Sequence, residues 1–295
     1  MTIRHLEIFL EVCQKDSITR AAESLNMAQP AVSRAIREME NYYGLRLFER
    51  MNRKLYITEA GEELRSYAAS ITRQFEEARI AIRDRGQMTE VRVGVNASYG
   101  RSVLPGWMED FSSKNPKIPW KILINNSKVI EEKVLCNELD FGIMDEPENP
   151  ECFWRELLLD ERMAAVCAKD FPLPEDFSVR ALEKVPFLVR EEGSGSRNYT
   201  EQLFQKHQIK PLIRMESIST QSLIEVCKKG LGVLFVPRIL VSNSLNEGTL
   251  RELNIRDQQE RRKYYLVRHK SKYLSKSMKI FQAYVEDVHR DKKRC

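Results

Sequence analysis

Apolar positions recur at helical spacing from the start of the chain to Gly44. Leu6, Phe9, Leu10 and Cys13 fall on one stripe over residues 3–15, behind Thr2, which is placed to cap that helix. Asp16-Ser17 interrupts the stripe. A second helix of about two turns is expected next, with Thr19 as its cap and Ala21, Ala22 and Leu25 inward. Asn26 can take the left-handed conformation that ends it. Gln29 then precedes Pro30, which suits the first turn of a third helix because its missing N–H would have no partner there. On that helix Val32, Ala35, Ile36, Met39 and Tyr43 share one face, while Gln29, Ser33, Arg34, Arg37 and Asn41 lie elsewhere. A short Ala-rich helix, a tight turn and an amphipathic helix with a free polar face have the layout of a helix-turn-helix. Exposed Arg and Ser fit a solvated surface as well as they fit DNA.

The residues after Gly44 tip that balance. Residues 47–50 and 55–58 read as two short strands around the polar turn Met51-Asn52-Arg53-Lys54. Such a wing sets Arg50, Arg53 and Lys54 beside the third helix, where cations meet phosphates or a narrow minor groove. From residue 58 to residue 85 there is no proline, and Leu64, Ala68, Ile71, Phe75, Ala78 and Ile82 alternate spacings of four and three. The heptad seam predicts a helix roughly 40 Å long that pairs with a second copy as a coiled coil, or lies on its own second domain.

Gly86-Gln87-Met88-Thr89 then reads as a hinge, and the period changes again. Strands are expected at residues 91–95, 120–124 and 141–144, with helices at 104–111 and 129–137 between them: a βαβαβ unit with a parallel sheet. The pattern repeats with strands at 163–168, 187–189, 213–216 and 233–236 and helices near 198–208 and 221–229. Two α/β lobes imply a ligand cleft where strand ends meet helix N-termini.

Four segments in order carry a specific resemblance: Ser17-Ile18-Thr19-Arg20-Ala21-Ala22-Glu23-Ser24-Leu25, Ala28-Gln29-Pro30-Ala31-Val32-Ser33-Arg34, Gly44-Leu45-Arg46-Leu47-Phe48-Glu49-Arg50 and Ile57-Thr58-Glu59-Ala60-Gly61. They resemble the successive signature segments of LysR-type transcriptional regulators. Less dense similarity continues through Asn96-Ala97-Ser98-Tyr99-Gly100, Asn126-Ser127, residues 138–143, residues 190–197 and Gly230-Leu231-Gly232-Val233. The resemblance implies an α+β multidomain chain with a winged helix-turn-helix head (residues 1–58) and a long dimerisation linker helix with its hinge (59–88). Behind them it implies a two-lobed α/β effector domain like that of periplasmic binding proteins (89–295), with lobe I at 89–160 and 267–295 and lobe II at 161–266. It further implies that Gln29, Pro30, Ala31, Ser33, Arg34 and Arg37 face the major groove, with Arg50, Arg53 and Lys54 on the DNA backbone. Base-edge reading falls to Gln29, Ser33, Arg34 and Arg37, since Arg suits guanine and Gln suits adenine. The seam from Leu64 to Ile82 would pair two heads on pseudo-palindromic double-stranded DNA, with a dimer of dimers as the family's usual assembly and RNA polymerase as a further partner it allows.

In the cleft the most chemical feature is Gly193-Ser194-Gly195-Ser196-Arg197, whose glycines let backbone N–H groups approach a ligand ahead of a helix N-terminus. With Asn96, Ser98, Tyr99, Ser127, Ser219 and Thr220 at other strand ends, the effector-binding set with Ser194, Ser196 and Arg197 points to a small organic or inorganic anion. Turn-forming and helix-capping Ser and Gly with no ligand are the alternative, and Glu191 and Glu192 weaken the positive character of this corner.

Composition sharpens the picture mainly by exclusion. The 295 residues are 42% hydrophobic and 31% charged, a soluble globular composition long enough for two domains. No secretory signal opens the chain and no apolar run approaches the roughly 18 residues needed to span a bilayer, so a cytoplasmic protein without a membrane role is expected. Net charge is no guide to DNA: residues 256–295 carry 13 Lys/Arg against 5 Asp/Glu, a local +8 set against +5 for the whole chain. That basic end reads as a solvated surface helix rather than a nucleic-acid arm. The six cysteines are dispersed without a C-x-x-C pair, which points to free thiols and away from a metal site; no cofactor is expected. Enzyme chemistry finds no support in four scattered histidines, and neither a G-x-S-x-G elbow nor a P-loop occurs. A transport-type solute-binding protein would mimic the second domain but would not carry the head, while a DNA-binding regulator that senses nothing stays open.

Overall fold

Helix α1 (Ile3–Lys15) forms because its apolar stripe, Leu6, Ile8, Phe9 and Val12, is buried against the rest of the head. Thr2 holds the N-cap position, but its hydroxyl bonds the His5 ring at 2.8 Å instead of a backbone N–H. A computed structural model describes the chain apart from residues 52–53, 84–87, 174–175, 178, 256–260 and 291–295, and gives backbone only at 50–51, 54, 77, 80–81, 83, 176–177, 179–181 and 255. Helix α2 (Ile18–Ser24) begins earlier than expected. Its cap is Ser17, whose hydroxyl accepts from the Arg20 N–H at 3.3 Å, not Thr19, because Ile18 is drawn into the helix to pack on the head core. Asn26 ends the helix region at φ +51°, as its amide side chain suggested.

Helix α3 (Gln29–Tyr43) carries Pro30 in its first turn and ends on Gly44 at φ +69°. Val32, Ala35, Ile36 and Met39 are buried, whereas Tyr43 stays exposed. Strands β1 (Phe48–Met51) and β2 (Lys54–Ile57) pair antiparallel, Phe48 opposite Ile57, and make the wing. Glu40 ties this wing to α3 by accepting from the backbone N–H groups of Leu47 at 2.9 Å and Phe48 at 3.4 Å. Thr58 caps α4 (Glu59–Arg83), accepting from the Gly61 N–H at 3.1 Å and donating to the Arg46 carbonyl at 2.7 Å. Gly61 is required there. A Cβ would lie 2.4 Å from the Leu47 carbonyl oxygen.

The chain divides into two units, residues 1–87 with 135–138 and residues 88–134 with 139–295. In the second, the elements run β3 (Val91–Asn96), α5 (Ala97–Ser102), α6 (Leu104–Lys114), β4 (Trp120–Asn125), α7 (Ser127–Leu135), β5 (Phe141–Met144) and the long β6 (Phe153–Ala168). They continue through β7 (Asp176–Phe177), β8 (Pro186–Arg190), α8 (Gly195–Lys206), β9 (Leu212–Ser217), α9 (Thr220–Lys228), β10 (Val233–Pro237), α10 (Ser242–Asn246), β11 (Leu250–Glu252), β12 (Asn254–Ile255), β13 (Arg261–His269) and α11 (Lys276–Arg290). The strand order β4-β3-β5-β13-β6-β10-β8-β9 strings two sheets together through β6. Its first half pairs antiparallel with β13, and its second half pairs with β10 and β11. Within each lobe the remaining central strands are parallel, β3 between β4 and β5 and β8 between β9 and β10.

The first lobe buries Val93, Val95, Phe141 and Ile143 under Trp107, Phe111, Phe281 and Val285. Aromatic pairs such as Phe111 with Phe281, 5.4 Å apart and edge-on, fill that layer. The second lobe has a core on each face of its sheet: Phe187, Phe204 and Phe235 on one, Leu188, Leu223 and Leu234 on the other. The basic α11 is amphipathic, not merely solvated, because Met278, Phe281 and Val285 complete the first lobe while Lys276, Lys279 and Arg290 face water. Only strand residues 163–168 of β6 were expected; its preceding half mixes charges with apolar residues and reads as no strand by pattern.

Candidate functional site

Two sets of residues carry chemistry, one in each unit. In the head, Gln29, Pro30, Ala31, Arg34 and Arg37 are exposed on α3 and Ser33 is half-buried. The buried face of the same helix fixes their direction, so packing on one side orients the polar side. The Arg34 side chain is 79% exposed and its Nε donates to Glu38 at 2.8 Å. Glu38 also bonds the His5 ring at 3.1 Å. Those hydrogen bonds from His5 and Arg34 hold its carboxyl below the usual range. Arg37 has no ion-pair partner among the described residues, and with Ser33, Arg46 and Glu49 it lines an open groove of about 620 Å³ between α3 and the wing. Arg50 and Lys54 are described by backbone alone, on β1 and β2, and Arg53 lies outside the described residues.

Along α4 the expected seam divides. Leu64 and Ala68 are buried in the head core with α1, not left for a partner, whereas Ile71, Phe75, Ala78 and Ile82 are exposed. The stripe is continuous in sequence, but its first turns meet α1 of the same chain before any second copy can.

In the second unit a buried ion pair gathers several of the polar residues singled out by sequence. Asp145, one residue past the end of β5, faces Arg262 on the part of β13 that pairs with β6 alone. The Arg262 Nε donates to Oδ1 of Asp145 and Nη2 to Oδ2 at 2.9 Å, a two-pronged arrangement that suits a planar guanidinium. Its Nη1 donates to Ser196 Oγ at 2.9 Å and Ser98 Oγ at 3.2 Å. On the other side, Asp145 Oδ2 accepts from Ser127 Oγ at 2.6 Å and from Asn96 Nδ2 at 3.3 Å. The Arg262 side chain is 6% exposed and stacks over the Tyr264 ring at 4.9 Å. Burial alone would raise the Asp145 carboxyl, yet the Arg262 charge and the hydrogen bonds of Arg262, Ser127 and Asn96 outweigh it and hold it low.

The other expected effector residues lie elsewhere. Tyr99 is in the first-lobe core, its hydroxyl against the His289 ring and its own ring edge-on to Tyr264. Ser194 caps α8 by accepting from the Arg197 N–H at 3.2 Å, and Ser219 caps α9 at Ser222 in the same way. Arg197 is held by Glu201 and Glu216, and Thr220 accepts from Arg190. Sequence reasoning passed over Asp145 and Arg262. A carboxylate at the carboxyl end of a parallel strand was the available signal for the first; Arg262 was hidden in a basic run read as surface. Burial pushes the Cys13 and Cys227 thiols up to about 12, which makes them poor nucleophiles. Among the described residues no cluster of His, Cys, Asp or Glu is placed to hold a metal, and no helix is long and apolar enough to cross a membrane.

Comparison with known proteins places both units. Residues 3–62 match the family described as bacterial regulatory helix-turn-helix protein, lysR family, and residues 84–290 match the LysR substrate binding domain. The chain is similar to the RuBisCO operon transcriptional regulator of Acidithiobacillus ferrooxidans, 30% identical over 97% of this chain and 95% of that protein. Among solved structures it is similar in fold to a full-length OxyR from Pseudomonas aeruginosa, with TM-score 0.65 and 21% identity over 98% of this chain and 95% of that one. The CcmR regulatory domain of a Synechocystis strain, solved in complex with 2-PG, matches 69% of this chain and 99% of its own with TM-score 0.64 and 23% identity.

Proposed function

The chain belongs to the LysR family of DNA-binding transcriptional regulators with an effector-binding domain, and from that premise we propose how its own residues divide the work. It is a regulator by family, not an enzyme. The observation that carries the reading is the two-faced α3: Val32, Ala35, Ile36 and Met39 anchor the helix, leaving Gln29, Ser33, Arg34 and Arg37 free to read base edges in a major groove about 12 Å wide. Arg50, Arg53 and Lys54 of the wing serve phosphates, which position the head without specifying sequence.

Two copies pair through the exposed part of α4, where Phe75 is 57% and Ile82 is 69% exposed, and present two heads to a pseudo-palindromic site. The outermost strands of the second unit, β4 with Trp120 and Ile124 and β9 with Leu212 and Ile213, also leave large apolar side chains exposed. They supply the second surface that a dimer of dimers needs. The protein acts in the cytoplasm, beside the DNA it controls, and RNA polymerase is a partner of the assembled regulator.

The effector is a small anion received between the lobes near Asn96, Ser98, Ser127 and Ser196. Its binding favours one lobe arrangement over another and so changes how the paired heads sit on DNA, a population shift that requires different affinity in the two states. Selection of bound sequences from a random duplex library, followed by footprinting with and without metabolites, tests this. A palindromic consensus that Arg34→Ala relaxes at one position of each half-site supports it; no preference over random competitor at moderate salt overturns it.

A further inference from the structure

An anionic group already sits between the lobes, and the chain itself provides it. Asp145 belongs to the first lobe, and its carboxylate lies between Asn96 and Ser127 of that lobe, Arg262 of β13 and the start of α8 in the second. At the N-terminus of α8, a Cβ on Gly195 would fall 1.9 Å from Asp145 Oδ2, so only a glycine lets that backbone approach. Both carboxylate oxygens are used: Oδ1 accepts from Arg262, and Oδ2 accepts from Arg262, Ser127 and Asn96. The third guanidinium nitrogen of Arg262 is shared between Ser98 and Ser196. An arginine and serines beside a helix N-terminus are what a carboxylate or phosphate ligand requires, and here the arginine and serines are bonded without one.

We propose that Asp145 is a tethered ligand: its side chain fills the anion subsite between the lobes, and an effector's anionic group enters by displacing it from Arg262. The proposal rests on the reading of this cleft as the effector site. A tethered carboxylate competes at a high effective concentration, so simple monoanions cannot displace it. The effector must bring further contacts or a second negative charge. Cutting the tether reverses this. Asp145→Ala removes the carboxylate bonded to Arg262, leaving only the more distant charge of Glu161 near it, beside a space of carboxylate size that free formate or acetate can fill.

Thermal unfolding of the full-length protein tests it, in sodium formate or acetate against sodium chloride at equal ionic strength. Wild type is expected to unfold at the same temperature in both salts. Asp145→Ala is expected to unfold lower in chloride and to recover in formate with saturation, by about 2–4 °C or more. The double variant Asp145→Ala with Arg262→Met should lose that recovery. If Asp145→Ala does not fold, Asp145→Ser, which is also short enough to vacate the carboxylate's place, is titrated in its stead. Equal response to formate in wild type and variant, or none in either variant, overturns the proposal. The effector reading has its own readout, the DNA footprint of the wild type with metabolites, so a tethered-ligand failure leaves a metabolite-dependent footprint intact.

Discussion

The two units both carry arginine, in opposite surroundings. On α3 the Arg34 side chain is 79% exposed with one surface carboxylate beside it, a pairing that water and salt screen. In the second unit the Arg262 side chain is 6% exposed and each of its nitrogens has a partner. A polyanion such as DNA is met by cations left in solvent, because releasing its condensed counter-ions supplies much of the affinity. A small ligand offers few contacts. It must be recognised where desolvation makes each unpaired polar atom costly. Burial, not residue type, separates the two arginines.

The largest break of this contrast is one methyl group. Gly195→Ala drives a Cβ into the Asp145 carboxylate and pushes it off Arg262. A buried cation without its partner costs about 3–5 kcal/mol, so denaturant unfolding of the effector domain should lose that much, and a loss under about 1 kcal/mol would show that the pair is not held as described. The same pair fixes an acid limit. The Asp145 carboxyl lies below its ordinary value in the folded state, so its stabilisation is present above the ordinary aspartate pKa of about 3.9 and fades as pH falls from there toward the lowered value. Unfolding followed at falling pH should show this fade in wild type and not in Asp145→Asn.

The next effect leaves the cleft alone and separates the heads. Phe75→Glu places a charge on the exposed part of α4, and losing the burial of one aromatic side chain costs about 1.5–3 kcal/mol, or roughly ten- to a hundredfold in self-association by sedimentation. Operator binding should fall with it. Unchanged mass at equal concentration would remove α4 as the pairing surface.

The difference between the two regions also accounts for what could be read from the residues alone. In the head, local rules govern: Pro30 opens α3, Asn26 and Gly44 adopt positive φ at helix ends, and the stripe of Val32 to Met39 orients the polar face. Even its misreadings were local, a cap at Ser17 in place of Thr19 and a seam whose Leu64 and Ala68 serve α1 first. In the second unit the parallel strands were legible as apolar runs. Asp145 and Arg262, by contrast, are 117 residues apart, on a strand end and a crossover strand that meet only because β6 and β13 pair over their length. No periodicity carries information across such a span. Serines at strand ends were visible, but whether each caps a helix, as Ser194 and Ser219 do, or bonds Arg262 from a helix's first turn, as Ser98 and Ser196 do, is decided by where each helix begins.

On the DNA side the expected effects are smaller and differ in kind. Arg37→Ala removes a cation with no ion-pair partner among the described residues from the groove beside the wing; a lost base contact costs about 1–3 kcal/mol, and competition binding against operator variants should show the loss concentrated at one position. Uniform weakening across sequences, with a shallower salt dependence, would make Arg37 a phosphate contact instead.

The smallest effect has the opposite sign. Glu38 is a carboxylate on the reading helix, and it holds both Arg34 and His5 by hydrogen bonds that keep it ionised below the usual range. Near DNA that charge works against the phosphates and occupies the Nε of Arg34. Glu38→Gln removes the repulsion while keeping an acceptor for Arg34, so DNA binding should tighten on the order of twofold, the size of a single exposed helix pair. The gain should shrink as salt rises, since screening weakens the wild-type repulsion first. If Glu38→Gln instead weakens binding to the operator while sparing random duplex, then Glu38 aims Arg34 at its base, and the surface pair does in miniature what Asp145 does in the cleft: it sets the direction of a guanidinium before its ligand arrives.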